Sequence, residues 1–172
     1  TPIDFSTVLA YKIIGPSANL ALLIVPFFLF DAIANGEEIG WRGYVLPRLQ
    51  GKYSALGSTL ILAVIWALWH LPKFLPHWNA VYFAWWMGDV FAKAVLLTWM
   101  YNNTKGSLLL VTLFHASFNT AGVLLPIANT VSSSKMSALI VVVLLEVITA
   151  TMVTVIAGPA QLSRTEPKQV QM

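Results

Sequence analysis

The sequence predicts an all-α, polytopic transmembrane helix bundle of about five spans, forming the C-terminal part of a longer bundle. Three observations predict it. Of 172 residues, 58% are hydrophobic and only 10% charged, and the mean hydropathy is +0.74, far more apolar than an ordinary soluble domain. The apolar residues gather in stretches of about 20, the length a helix needs to cross a hydrocarbon core of roughly 30 Å. No strand-like alternation competes, and in lipid only helices and closed barrels satisfy their own backbone polar groups.

Taken in order, residues 1–16 read as an interfacial lead-in, and the first span is expected over 17–35. The second, 53–71, runs from a small polar start through an aliphatic centre to Trp66 and Trp69, aromatic residues suited to an interface. Spans three to five are expected over 80–101, 107–128 and 136–157, separated by short polar or Pro/Gly-containing connections. After Gly158 the composition turns polar, and residues 158–172 read as a disordered tail. There is no internal repeat, so residues 1–172 are treated as one membrane-embedded domain with a functional core at about 20–125. The chain begins at Thr1, and further spans upstream are expected.

The ten Lys and Arg are scattered, which argues against nucleic acid as a partner. Arg42, Arg48, Lys52, Lys105, Arg164 and Lys168 fall on one side of the expected topology, against Lys12, Lys73 and Lys135 on the other. The positive-inside rule makes the first side cytoplasmic. The absence of Cys removes disulfides, thiolate metal sites and a Cys nucleophile from consideration.

Ionisable groups inside spans cost about 2.5–3.5 kcal/mol each on insertion scales, so each needs an explanation. The densest charge is in ANGEEIGWRG. Glu38 and Arg42 stand one helical turn apart, acid first, the favoured order for an ion pair. Glu37 lies about 100° round the helix from Glu38. Arg42 is therefore expected to hold Glu38 structurally while Glu37 points into a cavity; the bland reading is a solvated charge cluster at the membrane edge. His70 ends the second span before Pro72, where an interfacial role competes with a functional one. His115 and Asn119 share one face in mid-span, pointing to a wet cavity or to packing against a partner helix. Asp89 and Lys93, four apart, are expected to neutralise each other. His77 reads as an exposed loop residue, Asp31 as a contact of the first helix end or the cavity, and Glu146 stands without an evident partner.

Together these groups suit hydrolysis. Glu37 would take a proton from water, His70 would position that water or pass the proton on, and His115 with Asn119 would donate to an oxyanion, a term worth about 2.7–4 kcal/mol per donor. Ser117, two residues from His115, falls on a different helix face. Two His and one Glu also form a familiar zinc set, so Zn2+ held by Glu37, His70 and His115 is the alternative to metal-free glutamate chemistry, although no HExxH motif is present.

Three ordered motifs carry a resemblance. Glu37-Glu38 with Arg42 fits EExxxR, Trp66 with His70 fits FxxxH except that Trp replaces Phe, and His115 with Asn119 fits HxxxN. In this order, within successive hydrophobic segments, they resemble the CPBP family of type II CAAX prenyl endopeptidases and bacteriocin-processing or immunity proteins. The resemblance spans roughly residues 20–125. It implies an intramembrane endopeptidase acting on a membrane-tethered protein or peptide, prenylated CAAX-type substrates among the candidates, with Glu37 as base, His70, His115 and Asn119 around water and oxyanion, and Glu38, Arg42 and Trp66 in support. It also implies a multi-pass protein of the cell membrane. A non-catalytic immunity or partner-binding protein that keeps the fold is the competing expectation.

Overall fold

The structure, a computed structural model, describes residues 21–34, 36–77, 79–124 and 133–163; the side chains of residues 21–23, 77, 123–124 and 133–135 lie outside that description. Every regular element among the described residues is helical. Helix α1 spans Ala21–Ala34 and carries Asp31 on its last turns. After Gly36 the chain re-enters helix as α2, Glu37–Gly40, and runs without a break through a π-helical turn, Trp41–Val45, into α3, Leu46–Gln50. The π register has a local cause: Leu46 N–H bonds to Trp41 O, and Pro47, next in line, has no N–H with which to continue a regular ladder.

Helix α4, Ala55–Phe74, starts at Ser54, whose hydroxyl accepts the Gly57 N–H at 3.1 Å. It continues past Pro72 to Phe74, so His70 sits in its last turns rather than closing it, and a 3-10 turn, Leu75–His77, follows. Asn79 caps α5, Ala80–Asn103, by accepting the Tyr82 N–H at 2.9 Å. The tight turn to α6, Leu108–Leu124, uses left-handed backbone at Lys105 (φ 56°) and Gly106 (φ 76°). Helix α7 is Ser133–Ala157.

Ala55–Phe74, Ala80–Asn103 and Met136–Ala157 are long and apolar enough to span a bilayer, and Leu108–Gly122 is a shorter apolar helix. The expected first and fourth spans are helical over 21–34 and 108–124; Ser107 precedes the helix, and residues 17–20, 35 and 125–128, like the lead-in 1–16, lie outside the described residues. Leu144, Leu145, Ile148, Met152, Val155 and Ile156 of α7 are exposed, an apolar face that matches lipid rather than water. The chain is an integral membrane helix bundle.

Helix α5 is central and packs on α4, α6 and α7, while α1 packs on α6. Small residues make the approach close: Ala63 and Ala67 of α4 meet Ala94 of α5 in a core completed by Trp66, Val90, Leu97 and Val111. Thr59 donates to the Ala55 carbonyl at 2.7 Å and also pairs with Thr98 across this interface at 3.0 Å. At Gly88 an added Cβ would lie 3.1 Å from Val143 Cγ1 of α7. Gly88→Leu should therefore lower bundle stability by about 1–3 kcal/mol through overpacking. Denaturation in detergent micelles checks this, and an unchanged midpoint would contradict the close α5–α7 contact.

The expected disordered tail is corrected over its first residues. Ala55 and Leu56 N–H groups bond to the carbonyls of Ala160 and Pro159, and the side chains of Asn102 and Asn103 donate to the carbonyls of Gln161 and Leu162. Leu162 is fully buried beside Ala55 and Val95. Asn102 and Asn103 at the end of α5 thus tie 158–163 down; residues 164–172 lie outside the described residues.

Candidate active site

Four helical segments bring the singled-out side chains together. Glu38 and Arg42 form the expected one-turn pair, Arg42 Nη1 donating to Glu38 Oε1 at 2.8 Å with both side chains fully buried. His115 Nδ1 of α6 reaches the same Oε1 at 2.7 Å. A carboxylate only accepts, so His115 Nδ1 carries the proton and its Nε2 faces away from Glu38. Glu38 Oε2 and Arg42 Nε and Nη2 have no hydrogen-bond partner among the described residues. A buried pair with unmet polar atoms is a poor stability device, which turns attention to what it does for His115.

Glu37 points the other way round the helix, as its 100° offset requires. Its Oε2 accepts Trp66 Nε1–H at 2.8 Å and Trp41 Nε1–H at 3.3 Å. With Trp41, Tyr44, Val45 and Trp69 it lines an open groove of about 290 Å³. A larger groove of about 360 Å³ lies between α4, α5 and α7 at Leu60, Phe91, Val95 and Ala150; it holds no titratable side chain and is separate from this chemistry.

His70 Nδ1 lies 2.9 Å from the Trp66 carbonyl oxygen one turn back, so Nδ1 is again the protonated nitrogen and Nε2 carries the lone pair of the neutral ring. Trp66 stacks edge-on against both histidines, with centroids 5.9 Å from His70 and 5.4 Å from His115, and Arg42 Cζ lies 5.0 Å from the centre of its ring. Asn119, one turn after His115, donates from Nδ2 to Asp31 at 3.1 and 3.4 Å, which settles Asp31 as a contact between α1 and α6. Ser117 donates to the Phe114 carbonyl on an exposed face, away from this cluster.

Asp89 and Lys93 pair at 2.7 Å as expected, and the unexplained Glu146 proves to be their third member, 3.8 Å from Lys93 across α5 and α7. The side chain of His77 lies outside the described residues. Trp41 is the residue that sequence reasoning missed. Its signal was present, since it stands four residues after Glu37 just as Arg42 stands four after Glu38.

Among the described residues, no three His, Asp or Glu side chains converge as a metal cage requires. Glu37 Oε2 faces two indole N–H groups, and Nδ1 of His70 and of His115 is engaged by the Trp66 carbonyl and by Glu38, which leaves Nε2 of each ring outside these contacts.

The fold and site define a class: integral membrane helix bundles with an internal acid–histidine centre built from separate spans. The comparisons narrow it. The sequence matches the family described as "Type II CAAX prenyl endopeptidase Rce1-like" over residues 17–121, more than half of the chain, and the protein belongs to that family. It is also 30% identical over 111 residues to "CAAX prenyl protease 2" of Methanococcus maripaludis, a match covering 59% of this chain and 41% of the relative's length. No solved structure matches. The resemblance carried by the three motifs is thereby borne out at the level of the family.

Proposed function

We propose that the protein is an intramembrane endopeptidase of the cell membrane that hydrolyses a peptide bond in a membrane-tethered, CAAX-type substrate. The observation that carries this reading is the division of labour between adjacent glutamates: Glu38 is buried against Arg42 and His115, while Glu37 lines a groove. Family membership and the name of the archaeal relative support the same reaction class.

In this mechanism a carboxylate, Glu37, takes a proton from water, which attacks the scissile carbonyl. The two indole N–H groups fix the rotation of that carboxylate. His70, with Nδ1 committed to a backbone carbonyl, offers Nε2 to the water. The developing oxyanion is met by Asn119 Nδ2 and by the His115 ring, which Glu38 orients through Nδ1. Glu37 then returns its proton to the leaving amine. No step requires a metal ion.

The test is cleavage of a membrane-tethered reporter peptide by the protein reconstituted in vesicles, before and after strong chelation. The expected result is cleavage at an unchanged rate after chelation. Loss of activity that is restored by added Zn2+ would overturn the metal-free mechanism.

A further inference from the structure

We infer that the indole N–H of Trp66 is a positioning group for the Glu37 carboxylate, a role beyond ring packing and one that a phenylalanine at this position would not fill. The inference rests on the reading of Glu37 as the base. Trp66 is only 4% exposed. Its N–H is a donor with no accepting capacity, and a buried donor of this kind needs a partner. The partner is Glu37 Oε2 at 2.8 Å, from a segment 29 residues earlier in the chain.

The rest of the ring is held from several sides. Arg42 lies over one face, both histidines pack edge-on against it, and Ala63 and Ala67 share its core. Its backbone carbonyl meanwhile accepts His70 Nδ1. A clamped ring with one fixed N–H makes a rigid reference for the carboxylate, and Trp41 adds a second N–H to the same oxygen at 3.3 Å.

Removing the Trp66 N–H has two opposing effects. It makes the carboxylate a stronger base, and it frees the carboxylate to rotate. Only part of a change in basicity reaches the rate, whereas a misplacement of about 1 Å costs on the order of 10²-fold. Orientation wins, and the net effect is a fall in kcat.

The experiment compares three variants on the tethered reporter: Trp66→Phe, Trp66→3-benzothienylalanine and Glu37→Gln. Benzothienylalanine keeps the two-ring shape and replaces N–H with sulfur. Both Trp66 variants should lose about tenfold in kcat with KM unchanged, since a hydrogen bond to a charged group is at stake. A benzothienylalanine variant with wild-type kcat would overturn the inference, because ring packing would then suffice. Wild-type cleavage by Glu37→Gln would instead overturn the base reading and the inference with it. A separate arm reads the contact without cleavage: in protein labelled with ¹⁵N at its indoles, the Trp66 Nε1–H resonance, identified by its loss in Trp66→Phe, should shift in Glu37→Gln. A resonance that stays in place would overturn the contact itself.

Discussion

Glu37→Gln is expected to reduce cleavage of a tethered reporter by about 10²–10⁴-fold, the range that a positioned general base contributes. Glutamine has nearly the same shape, and its amide oxygen still accepts the N–H groups that Trp41 and Trp66 aim at Oε2. It cannot take the proton from water. The variant should therefore insert, fold and bind substrate like the wild type, so that the loss falls on kcat and leaves KM in place. A residual rate within about threefold of wild type would show that the proton goes elsewhere.

The second large effect is on stability and falls at the neighbouring residue. Glu38→Leu leaves the fully buried Arg42 without its counter-charge, a change that costs about 3–5 kcal/mol when one partner of a buried pair is removed. Unfolding in detergent micelles measures it. Replacing both partners, Glu38→Leu with Arg42→Met, removes the stranded charge, and stability should return to within about 1 kcal/mol of wild type or exceed it. Activity should not return, because His115 Nδ1 has lost the carboxylate at 2.7 Å that fixes its proton and ring. A stable double variant with full cleavage would show that Glu38 serves only as the partner of Arg42. A Glu38→Leu variant as stable as wild type would show that Arg42 is not desolvated in the protein.

These two residues also show what the sequence reveals. The Glu38–Arg42 and Asp89–Lys93 pairs are legible because a one-turn spacing needs nothing beyond a helix. The offset of Glu37 is legible for the same reason, and Trp41 at one turn from Glu37 was equally within reach. The contacts that make the centre are of another kind. Glu37 with Trp66, Glu38 with His115 and Asp31 with Asn119 are separated by 29, 77 and 88 residues. They depend on how α1, α2, α4 and α6 cross, which local periodicity does not encode. The three ordered motifs identify the family but assign no hydrogen bonds. Glu146 was opaque because its partner Lys93 lies on another span. The ordered stretch 158–163 was opaque because its carbonyls are met by asparagines some 59 residues away.

Topology is sharpened in one respect. Arg42 is buried in its pair and is not a loop charge, so it drops out of the positive-inside count from which the cytoplasmic side is expected.

The central claim is that this membrane bundle hydrolyses a peptide bond with water activated at Glu37. Its most direct test is mass spectrometry of a membrane-tethered reporter incubated in ¹⁸O-enriched water with the reconstituted protein. The account predicts one new C-terminus carrying a single solvent oxygen with the wild type, and none above background with Glu37→Gln. An intact reporter with the wild type, or the same labelled product in equal amount with Glu37→Gln, would contradict it.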